Sequence, residues 1–381
     1  MRIGIDARFY GVGGIGRYQS NLIRELEKLD KENDYFIFLN SEGFEKYKCE
    51  NPRFKKVEAD FKPYSFSEQL FFPITLYKNK LDLVHFTHFN LPLLYLRPYV
   101  VTIHDLIMSE FPTQKTSTRG AIVFFFKRLG YELTIRWAIK FAKKVLAVSN
   151  ATKEDIVKNF KTASEKIVVT YEGLDVDLSK TKDLTGSEEI PKEYGISKPY
   201  LLYVSSMYPH KNVARLAEAF KIIKKDKDIQ LVLVGKVSYF SKRARNEVKE
   251  ILGEDLSKEV IFPNFQRDDG YLPDEDLYYF YKNAALYVFP SLKEGFGLPL
   301  LEAMTHRLPV CASNISCMPE IGGEAVYYFN PYDPKDMAEK IIGLLGDEKL
   351  QKSLVEKGLN QTKKFSWEKM ARETLAQYHA L

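Results

Sequence analysis

The sequence predicts an α/β protein built from two Rossmann-like domains with parallel sheets, and three observations carry that prediction. Short apolar runs of strand length alternate with longer amphipathic stretches, the order that consecutive βαβ units require. One device, an apolar run followed by a glycine-bearing turn and a helical pattern, occurs near the start, from Arg2 to Leu29, and again at Ala284 to Met304. The length of 381 residues exceeds what a single hydrophobic core usually serves.

Composition narrows the class. Hydrophobic residues at 45% and charged residues at 28% supply a core and a solvated surface. The net charge of +5, from 56 basic and 51 acidic side chains, suits anionic nucleotides or an anionic membrane surface and is too weak to argue for nucleic acid. Cys49, Cys311 and Cys317 have neither metal-ligand spacing nor an even count, so a reducing compartment is expected. No apolar run approaches the roughly 18 residues of a membrane span, and Met1-Arg2 runs straight into a strand pattern. A cytoplasmic protein, peripheral at most on the inner face of a cell membrane, is the expectation.

Arg2 to Ala7 reads as a strand, the run Gly11-Val12-Gly13-Gly14-Ile15-Gly16 as a turn, and Tyr18 to Leu29 as an amphipathic helix. The glycines permit either close packing or close approach of a ligand to the backbone. Their spacing is not G-x-G-x-x-G, and no acidic residue follows at the distance of a dinucleotide site. Further strands are expected at Tyr35 to Leu39, Leu81 to Phe86, Tyr99 to Ile103 and Lys144 to Val148. His104-Asp105 directly follows one of them, at the strand end where parallel sheets bind ligands. A neutral imidazole there could donate to a hydroxyl, or the ring could simply bond to backbone. His85 and His88 have no third ligand nearby in sequence, which argues against a metal.

Arg119 to Lys144 interleaves Phe124, Phe125, Phe126, Trp137 and Phe141 with Lys127, Arg128, Arg136, Lys140, Lys143 and Lys144 on a helical pattern. Three readings compete: a core-facing helix with snorkelling bases, a face that rests on an anionic membrane, and a nucleic-acid patch. Ser149 caps the helix that follows. Residues 179–198 are poor in apolar side chains and read as a linker. Domains are therefore expected at 1–178 and 199–365, with the last helix, 366–381, belonging to the first.

The second domain opens with the strand of PYLLYVSSM, a turn from Ser205 to Asn212 and a helix from Val213 to Lys224. Strands are expected at Gln230 to Gly235, Glu259 to Phe265 and Ala325 to Phe329. Between the last two lies LYVFPSLKEGFGLPLLEAM. Its strand stops at Pro290, which cannot donate to a ladder, and its helix opens at Leu298-Pro299, where proline costs no hydrogen bond. Free N–H groups at such a helix start form a phosphate site. Glu294 and Glu302 bracket it, and carboxylates beside a phosphate suit the hydroxyls of a sugar and a ribose. That combination points to glycosyl transfer from a nucleotide sugar.

Glu294, seven residues and Glu302, in the setting PSLKEGFGLPLLEAM, resemble the signature of the retaining glycosyltransferases of family four. The segments IDAR, GIGRY, SNISCMPE and FSWEKMA are similar to its mannosyltransferase branch. The resemblance implies the GT-B architecture, two Rossmann-like domains with parallel sheets facing a central cleft and a C-terminal helix returning to the first. It implies metal-independent transfer of a sugar, mannose from GDP-mannose being favoured, to a hydroxyl of a glycan or lipid-linked glycan in cell-envelope polysaccharide synthesis, with no cofactor. Glu294, His104 and Lys211 take the catalytic positions. Gly14, Gly16, Arg17, Ser206, His210, Lys211, Asn264, Phe265, Glu294, Gly295, Phe296, Gly297, Leu298 and Glu302 match the donor side, and Gly14, Ile15, His104 and Asp105 the acceptor side. Many members carry an arginine at or before the position of His210, so a protonated His210 is expected to make up charge, with Ser206 also replacing a base. Glycine is common where Asn264 and Arg307 stand. A UDP-sugar-dependent transferase, a nucleotide-sugar epimerase and a non-catalytic subunit are the alternatives.

Overall fold

A computed structural model describes residues 1–111, 121–174 and 190–381, with the backbone alone for 121–124 and 190. Most of the expected linker and the side chain of Phe124 thus lie outside the described residues. The described residues divide into two compact units, one within Met1–Glu110, Gly120–Gly173 and Phe365–Leu381, the other made up mainly of Leu174–Lys364.

Each unit is organised by one sheet whose strand pairs are all parallel. The first contains β1 (Arg2–Asp6), β2 (Asp34–Leu39), β3 (Phe54–Glu58), β4 (Leu83–Phe86), β5 (Tyr99–Ile103), β6 (Lys144–Ala147) and β7 (Ile167–Val169), in the order β3-β2-β1-β4-β5-β6-β7. The second contains β8 (Tyr200–Val204), β9 (Gln230–Val234), β10 (Val260–Ile261), β11 (Leu286–Phe289), β12 (Val310–Ser313) and β13 (Val326–Phe329), in the order β10-β9-β8-β11-β12-β13. The direction of winding reverses between β1 and β4 and between β8 and β11. At such a reversal the loops leaving the two neighbouring strands diverge, which opens a crevice at their carboxyl ends. Strands such as β5 and β9 are buried at every residue, as expected of sheets covered on both faces.

Several boundaries differ from the sequence reading. The strand expected at Glu259 to Phe265 is only Val260–Ile261, because Pro263 opens a 3₁₀ turn, Pro263–Gln266, and has no N–H for a ladder. The first helix is Gly13–Leu29, so part of the glycine run lies inside it. β3, β7 and β12 escaped notice because FKKVE, IVV and VCAS are too short or too charged to show a period.

The last helix, Trp367–His379, packs in the first unit. Tyr378 and Thr102 bond the two ring nitrogens of His85 at 2.5 and 2.7 Å, and Tyr18 reaches the same Thr102 hydroxyl at 3.1 Å. This buried chain joins β4, β5 and two helices. Burial, with the charge of His104 adding to it, pushes the His85 pKa down to about 3, so the ring is neutral.

Candidate active site

In the second unit the loops after β8 and β11 leave adjacent strands. Asn212 adopts φ 64° at the end of the first loop, and its amide donates to the carbonyls of Pro290 at 3.0 Å and Pro331 at 2.8 Å. Leu292 N–H donates to the His210 carbonyl at 2.8 Å. These bonds clamp one loop to the other. The result is a contact of 2.6 Å between Lys211 Nζ and Glu294 Oε1, with only 11% and 10% of the two side chains exposed. The residue types that the sequence assigned to a diphosphate and to sugar hydroxyls are therefore each other's counter-ions.

The Glu294 backbone is fixed as well. Ser316 Oγ accepts from its N–H at 3.2 Å and donates to its carbonyl at 2.9 Å. Gly297 caps the helix Leu298–Thr305 at φ 92°, and a side chain there would press on Met318. The peptides from Gly295 to Leu298 thus lead into the helix start as expected, with Phe296 buried. Glu302, on that helix, accepts from Tyr281 Oη of the helix Asp274–Asn283 at 3.1 Å, and Tyr281 stacks on His306 at 5.0 Å.

Other donor-side expectations change. His210 is buried, and burial together with the adjacent Lys211 charge pushes its pKa down to about 4 against a smaller pull from Glu294. It is neutral, so it does not supply the missing positive charge. Ser206 is exposed, and its carbonyl accepts from Tyr203 Oη at 2.7 Å. Asn264 ties the end of β9 to the next loop, accepting from Gly235 N–H at 3.1 Å and donating to the Gly270 carbonyl at 3.3 Å. Asn264 is therefore engaged in a helical turn; it is Arg307 that adopts a left-handed φ of 58°. The Phe265 ring packs on the core with the Arg245 guanidinium 5.0 Å away.

In the first unit the glycine turn splits into two kinds of position. Gly14 is exposed, and a Cβ built there would meet nothing within 4 Å. Gly16 is buried, its N–H bonds the Val12 carbonyl at 3.1 Å, and a Cβ would lie 2.2 Å from the Phe9 carbonyl oxygen. Gly16 therefore answers a packing demand and has no N–H to offer a donor, contrary to expectation, whereas Gly14 has room for a ligand. Ile15 and Arg17 are half-buried beside it. Underneath, the fully buried Arg8 guanidinium is held between Asp6 at 2.8 Å and Glu68 at 2.6 Å and lies 4.2 Å from the Phe72 ring.

At the end of β5, His104 Nδ1 lies 3.0 Å from Glu172 Oε1 and Nε2 lies 3.0 Å from the Thr87 carbonyl. Burial opposes protonation, but the bond to Glu172, its charge and the Thr87 carbonyl outweigh it and raise the His104 pKa. The neutral ring with a free donor that the sequence suggested is not what forms. Asp105 Oδ1 accepts from Ile107 N–H at 3.0 Å, a local turn bond. His88 Nδ1 accepts from Asn90 N–H at 3.2 Å, and among the described residues no three metal-ligating side chains gather.

Sequence reading overlooked Glu172, Arg8, Asn212, Ser316 and Tyr281. Arg8 and Ser316 stood inside IDAR and SNISCMPE, so a signal existed; Glu172 had none.

Residues 12–178 match the family model described as Glycosyltransferase Family 4, and residues 186–361 match the one described as Glycosyl transferases group 1. The chain is 27% identical to the O-antigen chain mannosyltransferase B of Escherichia coli over 98% of its own length and 97% of that protein. It is 29% identical to the serotype-specific mannosyltransferase WbdA of Escherichia coli over 59% of its length, which spans 27% of that longer protein. Among solved structures, the Anabaena HepE protein in complex with UDP and glucose superposes with a TM-score of 0.73 over the whole of both chains at 16% identity, a likeness of fold.

Proposed function

The chain belongs to the family 4 glycosyltransferases, and from that premise we propose that it transfers a sugar, mannose in preference, from a nucleotide diphosphate donor to a hydroxyl of a glycan or lipid-linked glycan, with retention and without a metal. The observation that carries this reading is the Lys211–Glu294 pair at the β8–β11 switch point, beside the start of the helix Leu298–Thr305. A diphosphate at the helix start would draw Lys211 Nζ to itself, since an ammonium prefers two phosphate charges to one carboxylate. Glu294 is then released toward the hydroxyls of the reacting sugar, where it supports the positive charge that builds as the glycosidic bond breaks. Backbone N–H groups from Gly295 to Leu298 and Lys211 stabilise the departing diphosphate; removal of one such donor typically costs about 10²-fold in rate. Glu302, held by Tyr281, is assigned to the ribose. The two mannosyltransferase relatives favour mannose as the sugar, and GDP is the carrier proposed for it over the UDP-sugar alternative.

The acceptor side favours a membrane. The helices Phe66–Lys78 and Ala121–Phe141 bury Phe72, Leu76, Tyr131 and Ile135 in one core with β2, β4, β5 and β6, so they lie on one face of the first sheet. Their outer sides expose Phe66, Leu70, Phe71 and Ile74 on the first and Phe125, Phe126, Leu129 and Leu133 on the second. The second helix carries Lys127, Arg128, Arg136 and Lys140 and one acid, Glu132, which lies 3.5 Å from Arg136. The buried side of this helix fits the core reading of the stretch, and its exposed side supports the membrane reading. No helix of the described residues is long and apolar enough to cross a membrane, and the attachment proposed is an interfacial one.

Melting with GDP-mannose, GDP, UDP-glucose and UDP at millimolar concentration tests the donor. A ligand at 100 times its dissociation constant adds about 2.7 kcal/mol, and a protein stabilised by none of the four is not the transferase described. Sedimentation with anionic and neutral vesicles tests the face. Binding to anionic vesicles that weakens with salt and with Lys127→Glu plus Arg128→Glu is expected; a protein that never leaves the supernatant has a soluble acceptor.

A further inference from the structure

The ring of His104 is 12% exposed and is surrounded on every side that the structure defines. Glu172 faces Nδ1 and the Thr87 carbonyl faces Nε2, both at 3.0 Å. Tyr18, from the helix Gly13–Leu29, lies edge-on at 4.9 Å, and the neutral His88 ring at the end of β4 is 6.4 Å away. Asp105 adds a second negative charge, and the neutral His85 lies deeper on β4. A carboxylate and a carbonyl only accept hydrogen bonds, so both ring nitrogens must carry protons for both contacts to be hydrogen bonds. With Glu172 ionised, the geometry thus calls for an imidazolium.

Glu172 is placed to hold it there. It follows β7 and Thr170, and the next residue, Gly173, has no room for a side chain, since a Cβ would lie 2.1 Å from the Trp367 backbone nitrogen. The peptide at 172–173 is therefore pressed against the start of the last helix, and the Glu172 carboxylate reaches the sheet edge from a fixed backbone. Its side chain is 8% exposed. A carboxylate this buried needs a positive partner, and the charged ring is the cation that the structure provides.

We propose that Glu172 is a positioning residue that keeps His104 as a fixed imidazolium at the carboxyl end of the first sheet, so that His104 acts by its charge and does not accept a proton from the acceptor hydroxyl. The proposal rests on the reading that His104 borders the reacting sugar. A base at this position would need a bare ring nitrogen, and both are engaged. A positive charge there favours an anionic group or a polarised hydroxyl arriving at the end of β5, and it persists to higher pH than on a free histidine.

The test is ¹⁵N NMR of the histidine rings in the full chain, with His104→Asn used to assign the signal. In the wild type both His104 nitrogens should show the protonated shift at pH 7.5, with a titration midpoint above that of a free histidine. In Glu172→Gln the midpoint should fall below the free value, because burial remains and the counter-charge is gone. Turnover should then drop roughly tenfold, less than the about 10²-fold typical of losing a group that itself stabilises the developing charge, with the donor KM within twofold, while Glu172→Asp recovers part of the loss. The wild-type kcat should be flat from pH 6 to 7.5. A neutral His104 in the wild type overturns the charge assignment whatever the activity. A charged ring that Glu172→Gln discharges without changing turnover overturns the positioning role. If Glu172→Gln does not fold, the wild-type titration and pH profile decide alone, and an activity that rises with an apparent pKa near 6.5 overturns the proposal. A chain that transfers no sugar at all still gives the ring titration, which separates failure of the pair from failure of the transferase reading.

Discussion

Both sheets carry a strand, a glycine-bearing loop and a helix at the switch point, at β1 with Gly13–Leu29 and at β11 with Leu298–Thr305, and they treat charge in opposite ways. At the first, Val12 caps the helix without a side-chain bond, no acidic residue occupies its first turn, and the space over Gly14 is open. At the second, a buried Lys211–Glu294 pair stands beside the helix start and Ser316 pins the glutamate backbone. A helix start offers N–H donors in either case. At the first, Arg8 is fully buried and committed to both Asp6 and Glu68, whereas at the second the Lys211–Glu294 pair keeps some exposure beside the helix start, so the second loop suits the proposed diphosphate and the first a group that needs room more than charge.

The largest expected effect comes from breaking the charged pair. Glu294→Gln and Lys211→Ala should each lower turnover by about 10²- to 10³-fold, whereas Gly14→Ala should cost less. Lys211→Ala also strands a nearly buried carboxylate, which typically costs about 3 kcal/mol, and the double change Lys211→Met with Glu294→Gln should recover stability without recovering turnover. Steady-state kinetics paired with urea unfolding checks both. Glu302→Ala should instead raise the donor KM by roughly tenfold with a smaller loss of kcat. If Gly14→Ala proved as damaging as Glu294→Gln, the contrast between the loops would not hold.

Next in size is the stability of the first loop. Gly16→Ala puts a methyl group 2.2 Å from the Phe9 carbonyl, a backbone atom that cannot swing aside, and a cost of about 3 kcal/mol is expected. Gly14→Ala meets nothing and should stay within about 0.5 kcal/mol of wild type in urea while still lowering transfer. Equal stability losses at the two glycines would mean that Gly14 is also a packing residue.

The two loops also differ in how acid reaches them. His210, in the second site, has a folded pKa near 4 against about 6.5 unfolded, so unfolding takes up a proton between these values and stability falls as pH drops through that window. The loss should approach 2 to 3 kcal/mol, about 1.4 for each unit. His85 acts in the same direction toward about pH 3. His104, in the first unit, has a raised pKa, so its contribution is complete below about 6.5 and is lost as pH rises through the folded value. His210→Asn should flatten the acid limb of a melting-temperature profile and leave the alkaline limb alone. A profile unchanged by that substitution would mean that His210 is solvated.

How far the sequence revealed this depended on whether a residue's role is local. Glu294, Gly297 and Leu298 were readable because the strand stop at Pro290, the glycines and the helix start sit in one segment. The strand and helix periods likewise predicted two parallel sheets. Charge states were not readable, since they depend on burial and on partners far away in the chain: His210 is neutral because burial and the adjacent Lys211 charge disfavour its protonation, and the His104 pKa is raised because Glu172, 68 residues on, reaches it. The bracketing of Arg8 between Asp6 and Glu68 is hidden for the same reason. Glycine was ambiguous by nature, because packing and ligand approach ask for the same missing side chain, and only the neighbours of Gly14 and Gly16 separate the two.

The smallest effect lies at the far ends of the two helices. The first helix leaves through Asp30 in extended backbone, with the side chain accepting from Glu32 and Asn33 N–H groups at 2.8 and 3.2 Å. The helix Leu298–Thr305 leaves through Arg307 at φ 58°, with Arg307 N–H bonded to the Met304 carbonyl and Leu308 N–H to the Ala303 carbonyl, both at 3.0 Å. That paired pattern is the Schellman ending, whose left-handed residue is ordinarily glycine. An arginine there carries a left-handed penalty of about 1 kcal/mol. Arg307→Gly should therefore raise stability by up to about 1 kcal/mol, less what the more flexible unfolded chain takes back. Arg307→Ala keeps the β-carbon and should gain nothing. Asp30→Gly, at an extended position whose carboxylate also accepts from Asn33 Nδ2 and Tyr35 Oη, should destabilise. Urea midpoints of the three variants separate the explanations: an alanine as stabilising as glycine at 307 would trace the gain to removal of the exposed charged side chain and not to the backbone.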